Sequence, residues 1–446
     1  MSKNKYMSTL AKGSKKLLNA WAFYDWANSV YPLVISSSIF PLYYGFLFPK
    51  ENPNILFLGF EFKSTALISF VTAFAFFCVA FFSPILSGIA DFAGNKKRFM
   101  QFFCYLGALS CIGMYWFTAE NIYFGIICFF LGLLGFWGSL VFYNSYLPDI
   151  AFKEQQDSLS AKGYSFGYVG SVILLLINLY MILGKEGEEA LYAMRMAFAM
   201  TGIWWILFAQ YAFYYLPKGN KNAEKVTRDV VLNGFRELKK VQSHLYQNIR
   251  LYRYLVAFFV YSMAVQTVML VATYFGEQEI NWSTDSEKTT GLIISILVIQ
   301  LVAVLGATLT SKASDKFGNI PTLIVVNAIW AVICVFAYFV TEPIHFYITA
   351  GFVGLVMGGI QALSRSTYSK FLPKTEDTAS YFSFYDVAEK IGIVIGMAIY
   401  GTIDQITGSM RNAIVFLMVF FVAGLILLLR VPKSTASGVA FTPETE

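Results

Sequence analysis

Ionisable residues set inside long apolar runs are where this 446-residue chain could do chemistry. Trp21, Asp25 and Asn28 are spaced to share one face of a helix, giving an indole wall, an anion and an amide directed to one volume. Such a face can hold an amine. Asp25 could equally lie near the membrane interface and pair with a base, because a carboxylate at a helix centre costs about 2.5–3.5 kcal/mol on insertion. A second group lies far along the chain, where Arg365 and Asp386 stand at similar depths on consecutive apolar runs and are expected to meet. Glu389 and Lys390 share the face of Asp386, and Tyr385 adjoins it. This cluster fits a carboxylate-binding Arg, a proton-accepting acid, an ion-pair latch favoured slightly over both, or packing glue. Tyr143, Asn144, Gln266 and Gln361 are uncharged polar residues within or near their spans, able to line a pathway or to bond helix to helix.

Other chemistry has no footing. The five cysteines fall in apolar runs without a Cys-x-x-Cys pair, and His244 and His345 stand alone, so neither a metal site nor a disulfide framework is expected. No hydrolase triad, zinc-protease motif or phosphate-cradling loop occurs in a fitting context, so no enzyme and no cofactor is expected.

Lipid is the solvent that positions these residues. Hydrophobic residues make up 57% and charged residues 13%, whereas a soluble domain carries charge on roughly a quarter of its residues. Runs long enough to cross a ~30 Å hydrocarbon core recur about twelve times, near 18–47, 65–90, 99–118, 122–147, 163–184, 191–216, 252–276, 289–311, 320–340, 345–370, 380–403 and 411–431. They are continuously apolar rather than alternating, which implies helices and not barrel strands. With both termini in the cytoplasm, most of the 33 basic residues fall inside, and Lys50, Lys63, Lys185, Arg195, Lys288 and Arg411 fall outside. A multi-pass protein of the plasma or inner membrane is therefore expected. The net charge of +6 suits loops facing anionic lipid and calls for no nucleic acid. A monomer is expected.

The chain repeats itself. Ser87-Gly88-Ile89-Ala90-Asp91-Phe92-Ala93-Gly94-Asn95 returns as Ser311-Lys312-Ala313-Ser314-Asp315-Lys316-Phe317-Gly318-Asn319, each at the end of an apolar run. Leu147-Pro148 is echoed by Leu372-Pro373, and Tyr164-Ser165-Phe166 by Phe382-Ser383-Phe384. Two six-helix halves, 1–216 and 251–431, are predicted, with a linker over 217–250 and a cytoplasmic tail over 432–446. In the linker Val230, Val231, Phe235, Leu238, Val241, Leu245 and Ile249 recur at helical spacing between Arg236, Lys239, Lys240 and Arg250, which reads as a basic amphipathic surface helix. Asp91 and Asp315 would each sit near the N-terminus of a neighbouring helix, with Gly94 and Gly318 making the turns and a base such as Arg98 beside the acid. These residues are assigned to conformational control.

The duplicated loop resembles the cytoplasmic signature of the major facilitator superfamily. Ser87 and Ser311 replace its leading Gly, Phe92 replaces the base after the Asp, and Asn95 stands where an Arg is common. A closer likeness rests on Trp21-Ala22-Phe23-Tyr24-Asp25-Trp26-Ala27-Asn28-Ser29, on Tyr143-Asn144-Ser145-Tyr146-Leu147-Pro148-Asp149-Ile150-Ala151, and on Gly358-Gly359-Ile360-Gln361-Ala362-Leu363-Ser364-Arg365-Ser366 followed by Phe384-Tyr385-Asp386. Together they resemble the Atg22-like, or UMF1, branch. Met263 stands where many relatives carry an Asp. The resemblance implies an all-α polytopic fold of twelve transmembrane helices and a transporter working by alternating access. Its cargo would be a small polar solute, with amino-acid efflux by a yeast vacuolar relative suggesting one class, and a proton or ion as the coupling partner. A receptor that moves nothing and an exporter of lipids or amphiphiles remain the other readings.

Overall fold

Twelve membrane-length helices account for most of the chain in a computed structural model that describes residues 10–48, 54–218 and 228–433. The first six are α1 (Lys15–Leu47), α2 (Ser64–Phe92), α3 (Lys96–Trp116), α4 (Ile122–Ile150), α5 (Lys153–Ile182) and α6 (Gly187–Tyr215). A further helix, α7 (Arg228–Gln247), precedes α8 (Ile249–Glu279), α9 (Asp285–Phe317), α10 (Asn319–Phe339), α11 (Pro343–Phe371), α12 (Thr378–Thr407) and α13 (Met410–Leu429). Eleven of the membrane-length helices are apolar enough to span by composition alone. The twelfth, α12, is diluted by Asp386, Glu389, Lys390 and Asp404. Its charges must be met inside the protein, because lipid cannot solvate them.

The apolar core divides in two. One cluster gathers Trp21, Tyr31, Phe40, Phe129 and Trp205 from the first half; the other gathers Phe258, Trp330, Phe346 and Phe421 from the second. The halves meet through α5 against α9 and α11, and through α2 and α4 against α12. Within the second half α9 and α11 come very close. A Cβ on Gly358 would lie 2.0 Å from the Ala303 carbonyl oxygen, and one on Gly354 2.4 Å from that of Ile299. Small residues permit that approach where water cannot drive helices together.

Several elements depart from the sequence reading. The stretch Lys153–Lys162, too polar to count as membrane span, is the first part of α5, and its Gln156, Asp157 and Ser160 are buried. The polarity of Asp157 and Ser160 is matched across the interface between halves, and Gln156 bonds the Ala151 carbonyl, which a hydropathy window does not register. In α1, residues Tyr31–Ile39 take a π-helical form with Pro32 at the start; proline has no N–H and crowds the preceding turn, so the helix locally widens. A hairpin, β1 (Asn54–Phe57) with β2 (Phe60–Lys63), joins α1 to α2. Its tip residues Leu58 and Gly59 have φ 53° and 81°, the signature of a two-residue turn. In α7 the inward Val241 and Leu245 are buried while Arg236, Lys239 and Lys240 are exposed, and the helix packs on α2 and α8. The side chains of Val230, Val231 and Phe235, and tail residues 434–446, lie outside the described residues.

Both repeated turns end their helices as their glycines suggest: Gly94 and Gly318 have φ 60° and 88°. They lie on one face of the bundle, with the start of α1, termed the basic face below. For the tight α9–α11 contact, Gly358→Val is expected to cost about 1–3 kcal/mol by overpacking. Thermal unfolding of the purified variant measures it, and an unchanged midpoint would show that these helices can move apart freely.

Candidate functional site

Polar contacts between the halves are stacked in layers from the basic face inwards. In the outermost layer the Asp91 carboxylate accepts backbone N–H bonds from Ala379 at 3.2 Å and Ser380 at 2.6 Å. These are first-turn amides of α12, which have no partner within their own helix and carry the positive end of its dipole. Lys96 bonds Thr378 Oγ1 at 2.8 Å and pairs with Asp149. The base at this joint is therefore Lys96, and Arg98 points outwards, exposed. The second copy works differently. Asp315 is exposed, and the carboxylate comes instead from Asp157 on α5. Asp157 accepts from Ser314 Oγ at 3.0 Å and Asn319 Nδ2 at 2.9 Å, and Lys370 Nζ lies 2.5 Å away.

One layer deeper sits Arg365. It does not meet Asp386, contrary to the expectation from depth; from α11 it reaches across the interface to Asp25 on α1. Nη1 and Nη2 donate to Asp25 Oδ2 at 3.3 and 3.2 Å. Nη1 also donates to Asn144 Oδ1 at 3.3 Å, Nε to Ser160 Oγ at 2.9 Å and Nη2 to the Ser160 carbonyl at 3.0 Å. A guanidinium has five N–H groups, so every donor is engaged. Its faces are covered too, with ring centroids of Tyr164 at 4.1 Å and Trp21 at 4.8 Å. Tyr143 Oη donates to Asp25 Oδ2 at 2.8 Å, while Trp21 stacks on Tyr143 at 4.5 Å and its indole N–H bonds the Tyr143 carbonyl. Arg365 is 2% exposed and Asp25 4%.

Gly163 makes this pair possible. A Cβ there would lie 2.5 Å from Asp25 Oδ2 and 3.1 Å from Arg365 Nη2, so α5 must be bare at that point. Asn28 is buried on the same helix as Asp25, but its Nδ2 has no partner and it makes no bond to the pair.

At the centre, Lys390 Nζ lies 3.0 Å from Asp386 Oδ1 and 2.8 Å from Glu389 Oε2, with the Trp137 ring 3.6 Å away. Gln266 Nε2 donates to Glu389 Oε1 at 2.8 Å. Glu389, Gln266, Gln361, Ser364, Tyr164 and Tyr385 border a cavity of about 20 Å³, room for roughly one water. Gln361 accepts from Tyr168 Oη at 2.6 Å, and Tyr385 stacks on Phe258 at 4.0 Å. Met263 packs its apolar side chain against Gly396 of α12.

Ser160, Gly163, Tyr164, Asp157 and Lys370 escaped the sequence reading. The repeat of Tyr164 in the second half marked this region, but a serine or glycine signals a site only once its neighbours are known.

The chain matches the family model described as "Vacuole effluxer Atg22 like" over residues 13–438. It is 30% identical to the "Uncharacterized MFS-type transporter YxiO" of Bacillus subtilis, over 97% of this chain and 98% of that one. Against Autophagy-related protein 22 of Vanderwaltozyma polyspora identity is 26%, over 61% of this chain and 55% of the relative, so this chain aligns with about half of the fungal protein. Two solved structures share the fold. The E. coli fucose:proton symporter FucP has a TM-score of 0.67 at 15% identity, covering 94% of this chain and 98% of that one. The proton:xylose symporter XylE has 0.70 at 13%, covering 94% and 95%.

Removing one charge of the Asp25–Arg365 pair strands the other, so Asp25→Asn and Arg365→Gln are each expected to destabilise by about 3–5 kcal/mol. The double variant should recover part of that loss. Thermal unfolding of all three tests it, and fully additive losses would mean that the two residues are not coupled.

Proposed function

This chain belongs to the Atg22-like family, and from that membership we propose that it is a secondary active transporter carrying a small polar solute by alternating access, with amino acids the first class to test. It is a multi-pass membrane protein of the transporter class. The observation that carries the reading is the arrangement of polar contacts: the halves are bonded to each other by charges on the basic face, above a central cavity lined by hydrogen-bonding groups.

Charged contacts suit a gate. Bonds such as Asp91 to the α12 amides are exchanged for water when the halves separate, so open and closed states can differ by only a few kcal/mol. A purely apolar seal would expose its whole area to water on opening. The central cavity is too small for a solute in the closed arrangement, which supports reading this conformation as the state sealed on the basic face. We place that face in the cytoplasm, since the basic loops lie there and Lys and Arg are retained on the cytoplasmic side. Transport would draw on a solute or ion gradient, and Asp25, Asp386 and Glu389 are the acids available for a coupling proton.

Two measurements test this. Proteoliposomes offered labelled amino acids, sugars and amines under imposed pH and sodium gradients should accumulate at least one class above empty vesicles. No accumulation across the panel would favour a receptor that keeps the fold but moves nothing. Second, Asp91→Ala removes two charge-assisted bonds, worth roughly 1.5–3 kcal/mol each when made to a charged group. It should shift the halves about a hundredfold or more toward opening on the basic face. Distances between spin labels on α2 and α12 would report it, and an unchanged distribution would remove Asp91 from conformational control.

A further inference from the structure

Buried charge at the centre does not balance. Asp25 is matched by Arg365, and Asp157 by Lys370. Around Lys390, two carboxylates share one ammonium. Among the described residues the contacts from other helices add no charge: Gln266 of α8 is an amide, and Trp137 of α4 presents a ring face. Three of the four carboxylate oxygens have partners, namely Asp386 Oδ1 and Glu389 Oε2 on Lys390 and Glu389 Oε1 on Gln266. The fourth, Asp386 Oδ2, is buried without any hydrogen-bond partner, in a residue 6% exposed. An orphaned carboxylate oxygen is among the costlier features a protein interior can hold.

The same cavity has little to offer an anion. Arg365 has its five donors committed, and Lys390 is already held between two acids. Glu389 borders the cavity, whereas Asp386 stands behind it, joined to it through Lys390. Resting on the transporter reading above, we propose that this site, once the halves separate and the cavity between them widens, binds a solute through a single cationic nitrogen, with Glu389 as its counter-ion. When the nitrogen arrives, Lys390 passes wholly to Asp386 and bonds the oxygen that now lacks a partner. Each carboxylate then has one cation. Gln361, Ser364, Tyr164 and Tyr385, which border the same cavity, receive the remainder of the solute.

Thermal stability of the purified full-length protein tests this with four compounds of similar size: alaninamide (cation), alanine (zwitterion), propionamide (neutral) and propionate (anion). Alaninamide and alanine should raise the midpoint by about 2 °C or more at saturation, and the other two should not. Glu389→Gln should abolish that shift while keeping the Asp386–Lys390 pair and hence a folded protein. Asp386→Asn should also abolish it, because Lys390 would then stay on Glu389. Equal stabilisation by propionamide or propionate, no stabilisation by any of the four, or an amine shift that survives Glu389→Gln would each overturn the proposal. Stabilisation by acidification with no amine effect would assign the missing charge to a proton and overturn it too. Proteoliposomes separate this from the broader reading: alaninamide binding without uptake of any solute leaves the site and removes transport, whereas uptake without amine preference does the reverse.

Discussion

A charge cannot be left alone in hydrocarbon, and the Asp25–Arg365 pair is where that constraint organises the molecule. Arg365 belongs to one half and all its bonded partners to the other. The two halves are thus joined, one layer in from the basic face, by a guanidinium with no unused donor. Around it the chain has arranged the aromatic faces of Trp21, Tyr143 and Tyr164, which soften the desolvation of the cation. Gly163 opens the space they need. Were α5 to carry a side chain there, the pair would be pushed apart and two buried charges left uncompensated.

Above that pair the duplicated loops show how a repeat diverges while its joint is preserved. In the first copy the loop supplies the acid, Asp91, and the opposite half supplies backbone amides. In the second copy the loop supplies neutral donors, Ser314 and Asn319, and the opposite half supplies the acid, Asp157. Polarity is reversed but each joint still pairs an anion with N–H or O–H donors across the interface. The two joints differ in kind: at one the acid meets a helix N-terminus, with Lys96 bonded to Thr378 beside it, and at the other it meets two neutral side-chain donors and Lys370.

The helix least suited to lipid carries the charged cluster at the centre of the bundle. Ten or more apolar residues in α12 anchor it, but Asp386, Glu389 and Lys390 are tolerable only because α4 and α8 present Trp137 and Gln266 to them. A segment that loses in hydropathy has its loss offset by tertiary contacts. Such places are where function departs from the rules that govern folding.

Membership of the bilayer, the twelve spans and the turns at Gly94 and Gly318 followed from sequence alone, since hydropathy and backbone sterics act over short stretches of chain. The same local logic singled out Asp25, Arg365, Asp386 and Lys390, because an ionisable residue in an apolar run stands out without any knowledge of its neighbours. It also placed an anion at a helix N-terminus, as Asp91 is found. Partnership was another matter. Depth along the helix suggested Arg365 with Asp386, yet depth says nothing of azimuth, and α11 turns Arg365 toward α1 and α5 rather than α12. The polar start of α5 looked like loop because its burial depends on residues some two hundred positions away. Which acid meets which base, and which oxygen is left without one, was decided only when the two halves packed together.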